Sequence, residues 1–236
     1  MTWSLLARDA SGAFGVAIAS RFFAVGSLCP GVIAHKGTLS TQALMNPLYR
    51  RAGLAALAQG IAPDEIVRRV TGEDEGRDVR QFHVLDASGS AAHTGRACID
   101  WCGHVSGPGY SIAGNMLAGP GVVEETARAY QGGSHLSFPE RLLAAMDAGE
   151  RAGGDKRGRQ AAALLIHTTE EYPFLDLRVD DHPDPLAELR RLYQVSLERF
   201  LAFVGCLPSR AQPAGIVDRA VIEARVAQFQ SARRGG

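Results

Sequence analysis

The stretch TWSLLARDASGAFGVAIAS, residues 2–20, decides how the fold begins. TWSLLAR (2–8) and AFGVAIAS (13–20) are rich in apolar residues, and DASG (9–12) between them consists of turn-forming residues. Gly12 suits a turn position with a positive φ. The pattern predicts a β-hairpin whose first strand starts at the second residue of the chain.

Thr2 is a candidate nucleophile because of its position in the chain. Cytosolic processing removes an initiator methionine when the next residue is small, and threonine is small. After loss of Met1, Thr2 would carry a hydroxyl and a free α-amine, whose ordinary pKa near ~8 makes it a usable base. The alternative is that Thr2 is only the first residue of a strand, and the sequence leaves both interpretations open.

Apolar periodicity and turn residues predict alternating groups of strands and helices along the rest of the chain. Pro47 after Asn46 marks a helix start, because proline suits the first helical position and asparagine can cap it. The further strands are predicted at 31–37, 38–44, 81–87, 90–95, 160–168 and 174–181, with one or two more within 102–117. The helices are predicted at 47–59, 63–71, 119–131, 137–150, 182–203 and about 216–230.

This order of elements predicts an α+β fold with mostly antiparallel sheets, because hairpins dominate the connections. Two sheets enclosed between two helical layers, a four-layer αββα sandwich, would bury every apolar face. A proline-containing linker after Cys206 leads to the last short helix. We therefore predict one domain over residues 1–205 and a linker with a short C-terminal helical extension over residues 206–236.

Composition argues against several classes of function. Lys plus Arg equals Asp plus Glu at 25 each, so the chain shows no basic footprint for nucleic acid. We find no apolar run long enough to span a bilayer, and Arg8 and Asp9 interrupt the apolar start where a signal peptide would continue. We expect a cytoplasmic protein that binds a small molecule, without membrane or nucleic-acid partners, and a homodimer from the frequency of symmetric assembly.

Several motifs, taken in order, resemble one bacterial family. The motifs that carry the likeness are MTWSLLARD (1–9), GVAIASRFFAVG (15–26), TQALMNPLYRRAGL (41–54), AAHTGRACIDWCGH (91–104), YSIAGNMLAG (110–119), GGDKRGRQAAALL (153–165) and LRVDDHPDPLAELRRL (177–192). They are similar to the family catalogued as domain of unknown function 1028, which is described as having an N-terminal nucleophile (Ntn) hydrolase-like fold. The resemblance covers residues 1–192 and implies the αββα sandwich with Thr2 as the nucleophile.

The chain departs from the Ntn pattern around the second strand. Proteasome-like enzymes place an aspartate at the end of that strand, whereas this chain has Ser20 followed by Arg21. Ser20 could orient the amine or a water by hydrogen bonding. Those enzymes also place a lysine on the following strand. Lys36 lies at about the right distance, and a solvated strand-end lysine would give the same pattern.

The segment YSIAGNML (110–117) contains the candidate oxyanion site. Gly114 and Asn115 at a strand end can offer backbone N–H groups and the Asn115 amide to a developing oxyanion. The alternative is a turn that uses both residues for positive φ. Within the resemblance, Asn115 is the best oxyanion candidate, and Gly114 is a candidate for substrate binding.

The segment HTGRACIDWCGH (93–104) carries four possible metal ligands, His93, Cys98, Cys102 and His104. Their spacing is not the usual C-x2-C pair of a zinc site, so we predict neither a metal nor a cofactor. We expect the cysteines to be reduced, small and buried. His93 and His104 are then candidates to line a substrate cleft.

Arg21, Gln42 and Asn46 are predicted at strand ends or loop starts, where they could bind a substrate carboxylate or amide, or simply cap loops. These residues together favour an Ntn-type amidohydrolase that cleaves a C–N bond in a small intracellular metabolite. The alternative is a non-catalytic ligand-binding or scaffold protein that keeps the Ntn fold. Threonine directly after methionine favours the enzyme, and the missing aspartate beside Ser20 favours the alternative.

Overall fold

The computed structural model describes residues 2–234. Within them the chain forms two compact units that divide after Leu189. The first unit contains every strand described below, and the second contains the last two helices. The domain boundary that the sequence predicts at residue 205 stays a prediction.

The strands of the described chain form two sheets, in which every pairing is antiparallel. The large sheet has six strands in the order β10-β9-β2-β1-β8-β7, and the small sheet has four in the order β3-β4-β5-β6. The strands are β1 (Thr2–Arg8), β2 (Phe14–Ser20), β3 (Pro30–Ile33), β4 (Gly37–Ala43), β5 (Arg80–Asp86), β6 (Ser90–Thr94), β7 (Trp101–Gly107), β8 (Tyr110–Leu117), β9 (Ala161–His167) and β10 (Leu175–Val179).

The helices lie between and after these strands along the chain. They are α1 (Val25–Leu28), α2 (Pro47–Ala58), α3 (Pro63–Gly72), α4 (Gly121–Gly132), α5 (Phe138–Arg151), α6 (Pro185–Ser196), α7 (Phe200–Val204) and α8 (Arg219–Arg234). Asn46 caps α2 as predicted: its side chain accepts a hydrogen bond from the backbone N–H of Leu48 at 3.0 Å, and Pro47 follows in the first turn.

Helices α2 and α3 cover the outer face of the small sheet. Leu57 of α2 and Ile66 of α3 form one buried cluster with Leu39 of β4 and with Phe82 and Val84 of β5. Alternate residues of a strand point to opposite faces, so Phe82 and Val84 both point to the helices.

The other face of the small sheet packs on the large sheet. Leu6 and Val16 of the large sheet share a buried cluster with Val32 and Leu85 of the small sheet. Beyond the large sheet lies α5, so close that a Cβ on Gly15 would be 3.0 Å from Leu142. The layers are therefore helix, sheet, sheet and helix, which confirms the predicted αββα sandwich.

The hairpin of residues 2–20 forms as predicted and lies in the middle of the large sheet. Gly12 in its turn has φ 90°, a conformation that glycine adopts without strain. Strand β1 has β2 on one side and β8 on the other. Its alternation sends Ser4 and Leu6 toward the small sheet and Trp3 toward Gly149 of α5. Thr2 has the same parity as Ser4, and it lies between the sheets at the end of the central strand.

Two predicted elements differ from the structure. The helix predicted over 182–203 is wrong: α6 ends at Ser196, where Leu197 N–H and Glu198 N–H bond to carbonyls three residues back, and α7 begins at Phe200. Residues 34–36 form a turn rather than a strand, because His35 adopts φ 62°. Lys36 is therefore an exposed turn residue.

Candidate active site

Thr2 lies at the point where three strands meet. In the sheet register it is opposite Ser20 of β2 and opposite Asn115 of β8. Its side-chain oxygen Oγ1 is 2.9 Å from Ser20 Oγ, and the residue is 5% exposed. The hairpin, together with its pairing to β8, thus brings together the three residues to which the sequence assigns catalytic roles.

A cavity of about 390 Å³ opens at Thr2. Its polar lining includes Thr2, Gln42 and Asn115, all of them buried. Arg157 is the charged residue among the described lining residues. Most of the remaining wall is apolar, so Thr2 lies beside a space that can hold a small organic molecule.

Three side-chain amides from different strands form a cluster beside the Thr2 backbone. Gln81 Oε1 accepts hydrogen bonds from Gln42 Nε2 at 2.8 Å and from Asn115 Nδ2 at 3.0 Å. Gln81 Nε2 donates to the carbonyls of Gly103 and Gly114, and Gln42 Nε2 donates to the carbonyl of Ala113. Since a carbonyl can only accept, these bonds fix which end of each glutamine is oxygen and which is nitrogen.

The Asn115 amide is already engaged in this structure. Its Nδ2 donates to Gln81 Oε1 and, at 3.3 Å, to the carbonyl of Thr2. Its Oδ1 is buried without a hydrogen-bond partner among the described residues. An unpartnered buried acceptor costs about 1–3 kcal/mol, so a donor is expected to reach this atom in the functional state.

A buried histidine continues the polar network away from the cavity. His83 Nε2 is 2.8 Å from Ser4 Oγ, and His83 Nδ1 is 3.0 Å from Ser111 Oγ. Ser4 Oγ also donates to Gln42 Oε1 at 2.6 Å. Because a hydroxyl has one proton, Ser4 must accept from His83, which assigns the proton to Nε2 and makes Nδ1 the acceptor from Ser111.

Burial lowers the pKa of His83 from the ordinary 6.5 to about 3, with a smaller effect of His104. The ring is therefore neutral near pH 7 and holds the single tautomer that the hydrogen bonds require. The network from Ser111 to Gln42 thus has one direction of donation, and it holds the Gln42 amide toward Thr2.

Two residues beside the site have strained backbones. Ala43 has φ 69° and follows Gln42, and Met116 has φ 54° and follows Asn115. Both line the cavity. A residue other than glycine in this left-handed region costs about 1–3 kcal/mol, and such strain clusters at functional sites. Ala43 is the last residue of β4, and Met116 is the last but one of β8, so both strained residues lie where a strand reaches the cavity.

The Ser20 side chain, which the Thr2 hydroxyl contacts, is uncharged. Ser20 occupies the place where the Ntn pattern has an aspartate, and Lys36 lies in the exposed turn described above. Gln42, from the strand after that turn, lines the cavity beside Thr2 instead. Of the two interpretations of Lys36, the exposed position agrees with the solvated lysine, although the residue lies in a turn rather than at a strand end.

Of the three binding residues predicted at strand ends or loop starts, Gln42 lines the cavity, whereas Arg21 and Asn46 do not. Arg21 donates its backbone N–H to Asp155 at 2.7 Å and its guanidinium to the carbonyl of Arg157. Asn46 caps α2, as the capping alternative predicts, and also contacts Asp74 at 3.3 Å. Neither Arg21 nor Asn46 is among the described lining residues of the cavity, and their roles in binding stay predictions.

The histidines of segment 93–104 also lie outside the described lining. His93 Nε2 bonds to the carbonyl of Arg77 at 2.8 Å, and His104 Nδ1 lies 3.0 Å from Thr94 Oγ1. Gly114 lies at a packed position of β8, where a Cβ would overlap Leu117 and lie 3.2 Å from Trp3 Cβ. A substrate contact by His93, His104 or Gly114 stays a prediction.

Cys29 and Cys206 are buried as predicted, whereas Cys98 and Cys102 are only partly buried. All four are free of disulfides, and residues 2–234 contain no group of three or more His, Cys, Asp or Glu that could hold a metal. Burial raises the pKa of Cys29 to about 12 and also raises that of Cys98 and Cys102. Cys29 and Cys98 line the cavity as protonated, weakly polar groups.

Sequence reasoning missed Ser4, Gln81, His83 and Arg157. The first three alternate with apolar residues along their strands, a pattern that is also typical of a solvent-facing side. The alternation of polar and apolar residues could have indicated these buried polar side chains only if a second sheet had been known to cover the polar face of the strand.

In the described chain, no helix is apolar over the length that a membrane crossing needs.

A family model and several solved structures match this chain. The model of the family of unknown function (DUF1028) matches residues 2–189. The crystal structure of protein SPO2555 from Silicibacter pomeroyi, described with the same family, is 33% identical over 92% of this chain and 96% of its own, with a TM-score of 0.85. No curated protein matches the sequence significantly.

The distant likenesses carry no argument about function. Anbu (ancestral beta-subunit) from Yersinia bercovieri is 14% identical, with a TM-score of 0.37 over 88% of this chain and 98% of its own. Thiobacillus denitrificans BPH is 6% identical, with a TM-score of 0.40 over 71% of this chain and 97% of its own.

Proposed function

The chain belongs to the family of unknown function DUF1028, and from that premise we propose that it is an Ntn-type amidohydrolase acting on a small amide, with Thr2 as its N-terminal nucleophile. The observation that carries the proposal is the position of the Thr2 hydroxyl. It lies at the end of a central strand, 2.9 Å from Ser20 Oγ, on a residue that lines a cavity of about 390 Å³.

The reaction begins with removal of Met1, a residue that lies outside the described residues. The new α-amine of Thr2 takes the proton of the hydroxyl while Oγ1 forms a bond to the amide carbonyl carbon. The C–N bond then breaks, and the proton passes from the amine to the leaving nitrogen. Water then attacks the carbonyl carbon of the resulting ester and gives one proton to the α-amine. The bond between that carbon and Oγ1 breaks, the acid leaves, and the amine passes the proton from the water to Oγ1.

The unpartnered Oδ1 of Asn115 suits the processed chain terminus. Asn115 Nδ2 already lies 3.3 Å from the carbonyl of Thr2, so its amide is beside the backbone of that residue. A neutral α-amine that donates one N–H to Oδ1 satisfies the buried acceptor and keeps its lone pair for the hydroxyl proton. Ser20, bonded to Oγ1, keeps the hydroxyl oriented.

Asn115 is also the proposed donor to the oxyanion. Its 3.3 Å bond to the Thr2 carbonyl is long, and exchanging that bond for one to a charged oxyanion is favourable. The bond to Gln81 Oε1 at 3.0 Å keeps the amide in place during the exchange. Loss of one such donor typically costs about 100-fold or more in rate.

The test compares the wild type with Thr2→Ala and Thr2→Ser in assays of ammonia release from a panel of small primary amides. We expect Thr2→Ser, which keeps both hydroxyl and amine, to retain hydrolysis, and Thr2→Ala to lose it. Ser27→Ala, which removes a hydroxyl outside the cavity lining, is the control for general damage. Full hydrolysis by Thr2→Ala would refute the proposal.

The alternative is a ligand-binding or scaffold protein without catalysis. The observation that favours it is that two uncharged side chains beside Thr2, Ser20 and Gln42, stand in place of a charged pair. Under that alternative, Thr2→Ala binds amides as the wild type does and neither protein releases ammonia. Calorimetric binding and the ammonia assay on the same samples separate the two functions.

A further inference from the structure

The walls of the cavity indicate which amides it accepts. We propose that the substrate is an amide of an apolar chain that carries a carboxylate, with the amide at Thr2 and the carboxylate toward Arg157. This inference rests on the proposed function for the reaction, but the binding preference that it states can be measured without any turnover.

The apolar wall of the cavity contains both buried and exposed side chains. Val25 and Cys29, each 1% exposed, are among the buried ones. Phe22, Leu44 and Ile99 are 44%, 66% and 60% exposed and line the same cavity. Large apolar side chains with this exposure are left open to a partner, and here that partner is a ligand in the cavity that they line.

The uncharged polar side chains of the cavity lining lie together at Thr2, so the amide end of a ligand is expected to bind there. Thr2, Gln42 and Asn115 are at most 5% exposed and are joined through hydrogen bonds to one another's backbone or side chains. An amide placed there meets a nucleophile and amide groups that can bond to it. The rest of the ligand must then lie against apolar side chains, so a strongly polar substituent next to the amide is disfavoured.

Arg157 gives the cavity a preference of charge. Its side chain is 40% exposed and lines the cavity, whereas Asp155, its ion-pair partner at 3.3 Å, has a side chain only 2% exposed. Asp155 is covered by the backbone N–H groups of Arg21 and Arg157, at 2.7 and 2.8 Å. The guanidinium is thus the exposed member of this ion pair and the carboxylate the covered one. The several donors of a guanidinium suit a carboxylate.

The size of the cavity sets the class of molecule. About 390 Å³ is near the lower end of ligand pockets, which span roughly 300–1,000 Å³. That space suits a medium-length chain with two polar ends.

The first arm of the test measures how binding depends on chain length. Butanamide, hexanamide and octanamide are titrated by calorimetry into Thr2→Ala, which cannot turn them over under the proposed mechanism, and into the wild type. Each buried methylene is expected to strengthen binding up to about fourfold, so hexanamide should bind about tenfold more tightly than butanamide. Leu44→Ser should reduce this gradient, whereas Leu48→Ser, 69% exposed and outside the described lining, should not.

The second arm measures the preference for charge at constant length. Adipamic acid, hexanamide and 6-aminohexanamide carry an anion, no charge and a cation at the far end. We expect the anion to bind about threefold to tenfold more tightly than the cation, since the cation meets Arg157. Arg157→Gln should abolish that preference. Arg128→Gln, which removes an arginine of α4 that also has an acidic partner, is the matched control.

The inference is overturned if the three chain lengths bind equally, if Leu48→Ser lowers binding as much as Leu44→Ser, or if the cation binds as well as the anion. Failure of the proposed function looks different: the gradient and the charge preference are present, yet the wild type hydrolyses none of the probes. Hydrolysis of short polar amides without a gradient would instead refute the substrate class and leave the reaction standing.

Discussion

The most informative stability prediction concerns protonation of His83. The ring is fully buried and its pKa is lowered to about 3 from the ordinary 6.5. Between these values the unfolded chain binds a proton at this residue and the folded chain does not. Stability from the neutral ring is therefore present above about pH 6.5 and falls as the pH decreases toward 3.

The size of the effect follows from the two pKa values. At pH 4.5, two units below the ordinary value of 6.5, the loss relative to pH 7 is about 2.5 kcal/mol at about 1.36 kcal/mol per unit. Urea unfolding at both pH values measures it. The chain has two tryptophans, Trp3 and Trp101, and both lie in the first unit, so their fluorescence follows the unit that holds His83.

Other groups also titrate in this range, so the comparison is made with His83→Gln. The variant removes the titrating ring, and its loss of stability between pH 7 and 4.5 should be smaller than that of the wild type by about 2.5 kcal/mol. Phe82→Leu, a neighbour on β5 that lowers stability without changing a titrating group, should keep the wild-type pH dependence. Equal pH dependence of His83→Gln and the wild type would refute the reasoning.

Three substitutions test other parts of the account by urea unfolding. Ser4→Ala leaves the buried Gln42 Oε1 and His83 Nε2 without their partner and should lower the free energy of unfolding by about 3 kcal/mol. The control Ser88→Ala, at an exposed position, should lower it by less than about 0.5 kcal/mol. A loss below about 1 kcal/mol for Ser4→Ala would argue against the buried hydrogen-bond network. Asn46→Ala removes the cap of α2 and should cost about 1 kcal/mol; no loss would mean that the cap is dispensable. Gly149→Ala places a Cβ against the Thr126 hydroxyl in a closely packed helical layer and should lower the free energy of unfolding by about 1–3 kcal/mol. Unchanged stability would show that the neighbouring residues can shift to accommodate the methyl group.

Local patterns predicted the parts of the fold that depend on neighbours in the chain. The hairpin at Gly12 and the cap at Asn46 follow from turn and capping residues and formed as predicted. The prediction of one helix over 182–203 was wrong because the apolar periodicity continues across a break in the helix. Near Leu197 the backbone N–H groups bond to carbonyls three residues back, and α6 ends there. Apolar spacing gives the face of a helix but does not by itself show where the helix ends.

The candidate site was predictable where the chain terminus or a strand end singled out a residue, as for Thr2, Gln42 and Asn115. Position singled out Thr2, and the register of the sheet then placed Ser20 and Asn115 beside it. Gln81 and His83 alternate with apolar residues, and a strand with that pattern usually exposes its polar side to water. In this four-layer sandwich helices cover one face of the small sheet and the large sheet covers the other. The polar residues of the alternating pattern are therefore buried and form an internal hydrogen-bond network.

Contacts between distant segments explain the remaining differences. Asp155 and Arg157 come from the loop before β9 and reach the site because Asp155 accepts the backbone N–H of Arg21, 134 residues away in the chain. His93 and His104 are close in the sequence to Cys98, which does line the cavity, but their rings bond elsewhere. Proximity in sequence gave no information on which side chains face the ligand.

The central claim is that Thr2 becomes the chain terminus and uses its own amine as the base. The most direct measurement is the intact mass of the protein purified from its native cells. The account predicts a mass lower by one methionine than that of the encoded chain, with Thr2 at the terminus. A mass that retains Met1 in the native protein would mean that the amine base does not exist, and it would contradict the mechanism.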